Sequence, residues 1–191
     1  MILGDERQTL RELLRARSVR TGEFVLASGA TSSYYIDARL TTMSGSGQLL
    51  IGRLGLATID AMRWSPDAIG GLTLGADPVA YAIAHAAALA GRTIDAFTVR
   101  KQAKDHGTGR LIEGNLRENG RALVVEDTMT TGESALKAAR AVEDFGARVV
   151  GVLCVVDRDE GARARLEDAG YHVASLFTAA ELVGRMRNAG E

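Results

Sequence analysis

Hydrophobic positions in this chain fall into short, nearly unbroken runs separated by longer stretches with helical spacing. The runs are Ala68–Leu72, Ile94–Val99, Ala122–Val125, Val149–Val156 and Val173–Phe177. A strand covered on both faces needs apolar residues at successive positions, so these predict five buried strands. Helices are expected between them at 78–90, 133–145 and 160–169, with a last one at about 179–188. Pro78 suits a first helical position, where no N–H is needed. Gly146 and Gly170 suit helix ends, where the chain turns left-handed. Strands alternating with helices predict an α/β fold with a central, mostly parallel sheet flanked by helices.

The first third of the chain has a different pattern. Asp5 is expected to cap a helix that presents Leu10, Leu13 and Leu14 on one face. Phe24-Val25-Leu26, the turn Ser28–Ser32 and Tyr34-Tyr35-Ile36 predict a hairpin. Ser44–Gly47 opens a long helix through about Met62, and residues 100–116 form a polar, glycine-containing loop. The expectation is one domain over 1–191, with a small N-terminal hood (about 1–40) on a core (about 41–191).

Composition narrows the function classes. Net charge is -1, from 23 Lys plus Arg against 24 Asp plus Glu, which argues against a general nucleic-acid binder. The single cysteine, Cys154, lies in an apolar run and is expected to be a buried small hydrophobe. One cysteine allows no disulfide within the chain, which fits a cytoplasmic setting. The N-terminus lacks a signal-peptide pattern, and no apolar run is long enough to span a membrane.

In parallel sheets, ligands bind beyond the carboxyl ends of the strands. After the third predicted strand the chain reads Glu126-Asp127-Thr128-Met129-Thr130-Thr131-Gly132-Glu133-Ser134. A Thr- and Gly-containing turn that opens a helix presents unpaired N–H groups and a positive dipole end, which suits a phosphate. Two carboxylates beside it suit vicinal hydroxyls or a hydrated Mg²⁺. Together they fit a ribose 5-phosphate. No Walker motif is present, and Leu50 spoils the dinucleotide pattern that Gly45-Ser46-Gly47 begins. The alternative, an ordinary helix cap with exposed acids, leaves the complete string unexplained.

After the second predicted strand comes Arg100-Lys101-Gln102-Ala103-Lys104-Asp105-His106-Gly107. A cationic lid suits a leaving group that gains negative charge, such as pyrophosphate. A solvated charged loop is the alternative. After the fourth strand, Asp157-Arg158-Asp159 places an arginine at the ligand edge, where its fork matches a carboxylate; a surface pair with Asp157 or Asp159 is the alternative.

The acid pair followed by Thr-Thr-Gly-x-Ser resembles the PRPP motif of type I phosphoribosyltransferases. The Arg-Lys-x-x-Lys-x-His-Gly string resembles the catalytic loop of the orotate phosphoribosyltransferases. The resemblance runs over roughly residues 20–160. It implies the phosphoribosyltransferase fold and transfer of ribose 5-phosphate from PRPP to orotate, with Mg²⁺ bound mainly through PRPP. Glu126 and Asp127 would hold the ribose hydroxyls. Thr130, Thr131, Gly132, Glu133 and Ser134 would wrap the 5′-phosphate, with Thr128 and Met129 also at PRPP. Arg100, Lys101, Lys104 and His106 would contact PRPP, with Lys101, Lys104 and His106 acting in catalysis. Thr130, Arg158, Tyr34 and Tyr35 would hold orotate. The loop would reach across a homodimer. Two departures stand out: Ala27, and Leu74-Gly75 where some relatives carry Tyr-Lys, which removes a cation from the pyrophosphate site. Two rivals are a phosphoribosyltransferase for a purine or another base, and a PRPP-sensing regulator that binds nucleic acid.

Overall fold

The computed structural model describes residues 2–25, 31–102 and 111–184. In chain order the elements are α1 (Ile2–Arg17), β1 (Val19–Val25), β2 (Thr31–Ile36), α2 (Arg39–Thr42), α3 (Gly45–Ala61), β3 (Ala68–Leu72), α4 (Ala76–Leu89), β4 (Asp95–Val99), β5 (Ile112–Gly114), β6 (Arg121–Met129), α5 (Glu133–Asp144), β7 (Arg148–Asp157), α6 (Ala162–Asp168), β8 (Val173–Thr178) and α7 (Ala179–Val183).

The main sheet has the order β5-β4-β3-β6-β7-β8. All its pairings are parallel except β4 with β5. Side chains alternate across it as the pleat requires. Leu123 and Val125 of β6 face one core with α1, α3, α4 and α7, while Ala122 and Val124 face the other with α5 and α6. The two helical layers explain the nearly unbroken apolar runs at the centres of β3, β6 and β7. Cys154 is fully buried, and burial pushes its thiol well above the usual range, as expected of a small core residue.

Several boundaries differ from the sequence expectation. Helix α1 begins at Ile2, so Asp5 sits inside its first turn instead of capping it. Leu10 and Leu14 are fully buried in the larger core, so α1 packs with the body. The hood is therefore the β1–β2 ribbon, an antiparallel pair running from Val19↔Ile36 to Val25↔Thr31. The long polar loop contains the edge strand β5, paired from Val99↔Ile112 to Phe97↔Gly114. Helix α4 begins at Ala76, two residues before Pro78, a position where a proline still breaks no helical hydrogen bond. Thr178 and Glu181 close a capping box at α7, and the expected extension of that helix to 188 lies partly outside the described residues.

Candidate active site

Strands β3 and β6 pair only from Ala68↔Ala122 to Gly70↔Val124. Gly71 still lies against the Val125 carbonyl, and beyond it a cleft opens at the carboxyl edge of the sheet. The chain enters it four times: from the end of β2 into α2, in the turn 73–75, just after β4, and from the end of β6 into α5. Two cavities of about 290 and 440 Å³ fill the cleft and share Leu72, Lys101, Glu126 and Ser134 in their walls.

The first cavity holds the acid pair. Strand β6 runs four residues further than its apolar core suggests, so Glu126 and Asp127 lie on the strand and not in a loop. Burial, with the Asp127 carboxylate beside it, pushes the Glu126 carboxyl up to about 7, against the pull of the Ser134 hydroxyl and the Ala135 N–H. One Glu126 oxygen, Oε2, and the Thr128 hydroxyl are buried without a hydrogen-bond partner among the described residues. Such atoms call for a ligand donor. Burial also raises the Asp127 carboxyl, opposed by the Thr128 N–H, which donates to it at 2.8 Å, and by the charge of Arg39.

The turn 73–75 lies against this pair. The Thr73 and Thr98 hydroxyls donate to Asp77 at 2.6 and 2.8 Å and fix the turn to the start of α4. A Cβ on Gly75 would stand 2.6 Å from an Asp127 oxygen, so glycine lets the turn approach the acid pair. The peptide Thr73–Leu74 is cis.

The second cavity is lined by Thr130, Thr131, Gly132, Glu133 and Lys137. Gly132 is left-handed (φ 73°) and packs on Ala162, where a Cβ would meet backbone at 3.2 Å. This turn delivers the chain into α5 with its first N–H groups unpaired within the helix. Met129, expected to contact PRPP, has a fully buried side chain in the core, which leaves only its backbone near the cleft. Lys101 lines both cavities. Arg100 instead turns toward α5 and pairs with Glu113 at 3.8 Å. Lys104 and His106 lie outside the described residues, as does Ala27.

Arg158 is held at the end of β7, where its N–H donates to the Met129 carbonyl at 2.9 Å. Its side chain is only 7% exposed and pairs with Glu160 at 2.8 Å. The alternative of a surface pair with Asp157 or Asp159 is not what forms; Asp157 faces Arg163 at 3.5 Å and accepts from the Asp159 N–H at 3.0 Å. The Arg158 guanidinium lies 5.2 Å from the centre of the Tyr34 ring, and its Nε is buried without a partner among the described residues. Tyr34 and Arg158 are thus brought together. Tyr35 points to the other side of β2, where it meets Phe24 (ring centres 5.7 Å apart) and lines the acid-pair cavity.

Sequence reasoning missed Asp37, Arg39 and Lys137, all in cavity walls. Lys137 was legible as the residue one helical turn after Glu133, on the face of the phosphate turn. Arg39 carried no signal, because only the fold of the hood brings it to the cleft.

Comparison with known proteins agrees with this architecture. The family model for the phosphoribosyl transferase domain matches residues 48–174. The orotate phosphoribosyltransferase of Mycobacterium tuberculosis is 50% identical over 179 residues, 94% of this chain and 97% of the relative. That of Aquifex aeolicus is 44% identical over 181 residues, 93% of this chain and 98% of the relative. The crystal structure of the Mycobacterium tuberculosis enzyme in complex with PRPP aligns with TM-score 0.77 at 44% identity, covering 93% of this chain and 92% of that one. The chain belongs to the orotate phosphoribosyltransferase family.

Proposed function

We propose that this chain transfers ribose 5-phosphate from PRPP to N1 of orotate, giving orotidine 5′-phosphate and pyrophosphate. The observation that carries this reading is the cleft itself. An acid pair with an unpartnered oxygen adjoins a helix-opening turn, and a buried arginine over an aromatic ring stands at the neighbouring strand end. The ribose hydroxyls donate to Glu126 and Asp127. The 5′-phosphate accepts from the turn 130–134. Thr130, Arg158 and Tyr34 hold the orotate ring and its carboxylate, and Tyr35 closes the ribose side. A purine brings no carboxylate to the Arg158 Nε, which is buried without a partner among the described residues, and this favours orotate.

The bond from the anomeric carbon to the pyrophosphate oxygen breaks as the bond to N1 forms. Positive charge gathers on the ribose and negative charge on the departing pyrophosphate. Lys101, with Lys104 and His106 of the same loop, stabilises the leaving group. N1 gives up its proton as the new bond forms, and that proton passes to solvent or to an oxygen of the departing pyrophosphate. Among the described residues no three acidic, histidine or cysteine side chains form a metal-ligand cluster. Two adjacent carboxylates suit Mg²⁺ that keeps its waters and is bound mainly through PRPP, with Glu126 and Asp127 as the protein's oxygens. Bound there, the ion would neutralise charge on the pyrophosphate.

The working unit in this reading is a homodimer, with Lys101 in its own chain's cleft and the loop beyond it, with Lys104 and His106, serving the partner's. An apolar groove of about 860 Å³ between α3 and α4, with Leu49, Tyr81 and Leu89 exposed, supports it. No helix among the described residues is long and apolar enough to cross a membrane, and the proposed setting is cytoplasmic.

Subunit mixing tests the shared site. Lys104→Ala and Glu126→Gln dimers, each inactive alone, should regain roughly a quarter of normal activity after exchange, because half the dimers then hold one intact site. No recovery after demonstrated exchange would place the loop in its own chain's cleft.

A further inference from the structure

Arg39 occupies a position that the sequence motifs do not assign. It opens α2, directly after the hood ribbon, and its side chain lines the acid-pair cavity opposite the turn 73–75. Leu74, at the tip of that turn, is exposed and shares two cavities with Arg39. The turn therefore brings no charge of its own to this wall. Among the described residues, the cavity is lined by three carboxylates (Asp37, Glu126 and Asp127) and two cations (Lys101 and Arg39). A polyanion entering it needs those cations.

The guanidinium is already oriented. Asp37 accepts from its Nε at 2.9 Å and from one terminal amino group at 3.2 Å. The other terminal amino group has no described partner. Arg39 in turn holds the Asp37 carboxyl below its ordinary range, so the pair stays ionised across neutral pH. Arg39 also feels the charge of Asp127, which places it in the field of the acid pair. Its side chain is 48% exposed, so its outer edge is open to a ligand from solvent.

We infer that Arg39 is a binding residue for the diphosphate of the substrate: it supplies from the hood the cation that Leu74-Gly75 does not, with Asp37 as its positioning residue. The inference rests on the proposed phosphoribosyl transfer and adds a specific anchor to it. A planar guanidinium suits this place because it can give one edge to Asp37 and the other to a diphosphate oxygen.

The test compares wild type with Arg39→Gln, Arg39→Lys and the double variant Arg39→Gln/Leu74→Lys. Calorimetric titration with Mg²⁺–pyrophosphate and, separately, with ribose 5-phosphate reads the two ends of the PRPP site. Losing one charge-assisted contact should weaken pyrophosphate roughly 10- to 100-fold. Ribose 5-phosphate affinity and the KM for orotate should stay within about twofold of wild type by the same reasoning. KM for PRPP should rise with the pyrophosphate dissociation constant. Leu74→Lys, which restores a cation on the same wall, should recover much of the loss. Unchanged pyrophosphate affinity in Arg39→Gln would overturn the inference. So would an equal loss for pyrophosphate, ribose 5-phosphate and orotate with no rescue by Leu74→Lys, which would mark Arg39 as a structural part of the hood. A wild type that turns over orotate while Arg39→Gln behaves normally refutes only this residue's role. A wild type that binds neither ligand refutes the underlying reading instead.

Discussion

Replacing Glu126 with Gln should change how the stability of the empty protein depends on pH. Burial and the neighbouring Asp127 raise this carboxyl from 4.5 to about 7. Between those values the folded protein holds a proton that the unfolded chain has released. Stability therefore falls as pH rises through that window and levels off above it. The displacement corresponds to about 3 kcal/mol at 1.36 kcal/mol for each tenfold step in acidity. Integrated between pH 5 and 8, about 2.5 kcal/mol of stability is lost. For a chain of this length that is roughly 5–10 °C in Tm. Gln keeps the shape and cannot ionise, so the variant should gain that much on wild type between pH 5 and 8. Asp127 remains in both proteins, so its own titration largely cancels. The assay is thermal or urea unfolding of both proteins at pH 5, 6, 7 and 8 without ligand. Parallel pH profiles would refute the claim that Glu126 is held protonated in the empty site. The same reasoning predicts that sugar hydroxyls and Mg²⁺, which favour the ionised acid, expel a proton on binding at pH 6.

Other perturbations have separate readouts. Arg158→Ala should raise the orotate KM roughly 100-fold, the cost of leaving a carboxylate without its charged partner, with pyrophosphate affinity unchanged in calorimetry. Lys104→Ala should lower turnover far more than orotate binding; normal turnover with weakened affinity would remove it from the leaving-group site. Gly75→Ala drives a methyl into the Asp127 carboxylate, so about 1–3 kcal/mol of stability should be lost and KM for PRPP should rise, as denaturation and steady-state kinetics can read.

The strands and helices of the main sheet were legible because two-sided burial writes itself as unbroken apolar runs. Strand β5 was not, since three residues with one buried side chain, Ile112, make no pattern. The length of β6 was hidden for a chemical reason: its last residues include Glu126 and Asp127, which face the cleft and break the apolar run. The placement of α1 in the body was legible only in part, because the same Leu10 and Leu14 stripe would suit a hood helix. At the site, motif residues within one strand-to-helix turn were readable as a unit. Partners brought together across elements were not. Tyr34 over Arg158 and Arg39 beside Asp127 both depend on how the hood sits on the sheet edge. Gly75 was read only as part of a departure from the pattern, yet its missing side chain is what lets the turn touch the acid pair.

The most direct measurement is the loss of orotate absorbance when the protein is mixed with PRPP, Mg²⁺ and orotate, with uracil and hypoxanthine in parallel. The account predicts turnover that needs both PRPP and orotate, and none with the other two bases. Turnover with uracil or hypoxanthine and not with orotate would contradict the Arg158 pocket, and no turnover with any base despite PRPP binding would contradict the transfer reaction itself.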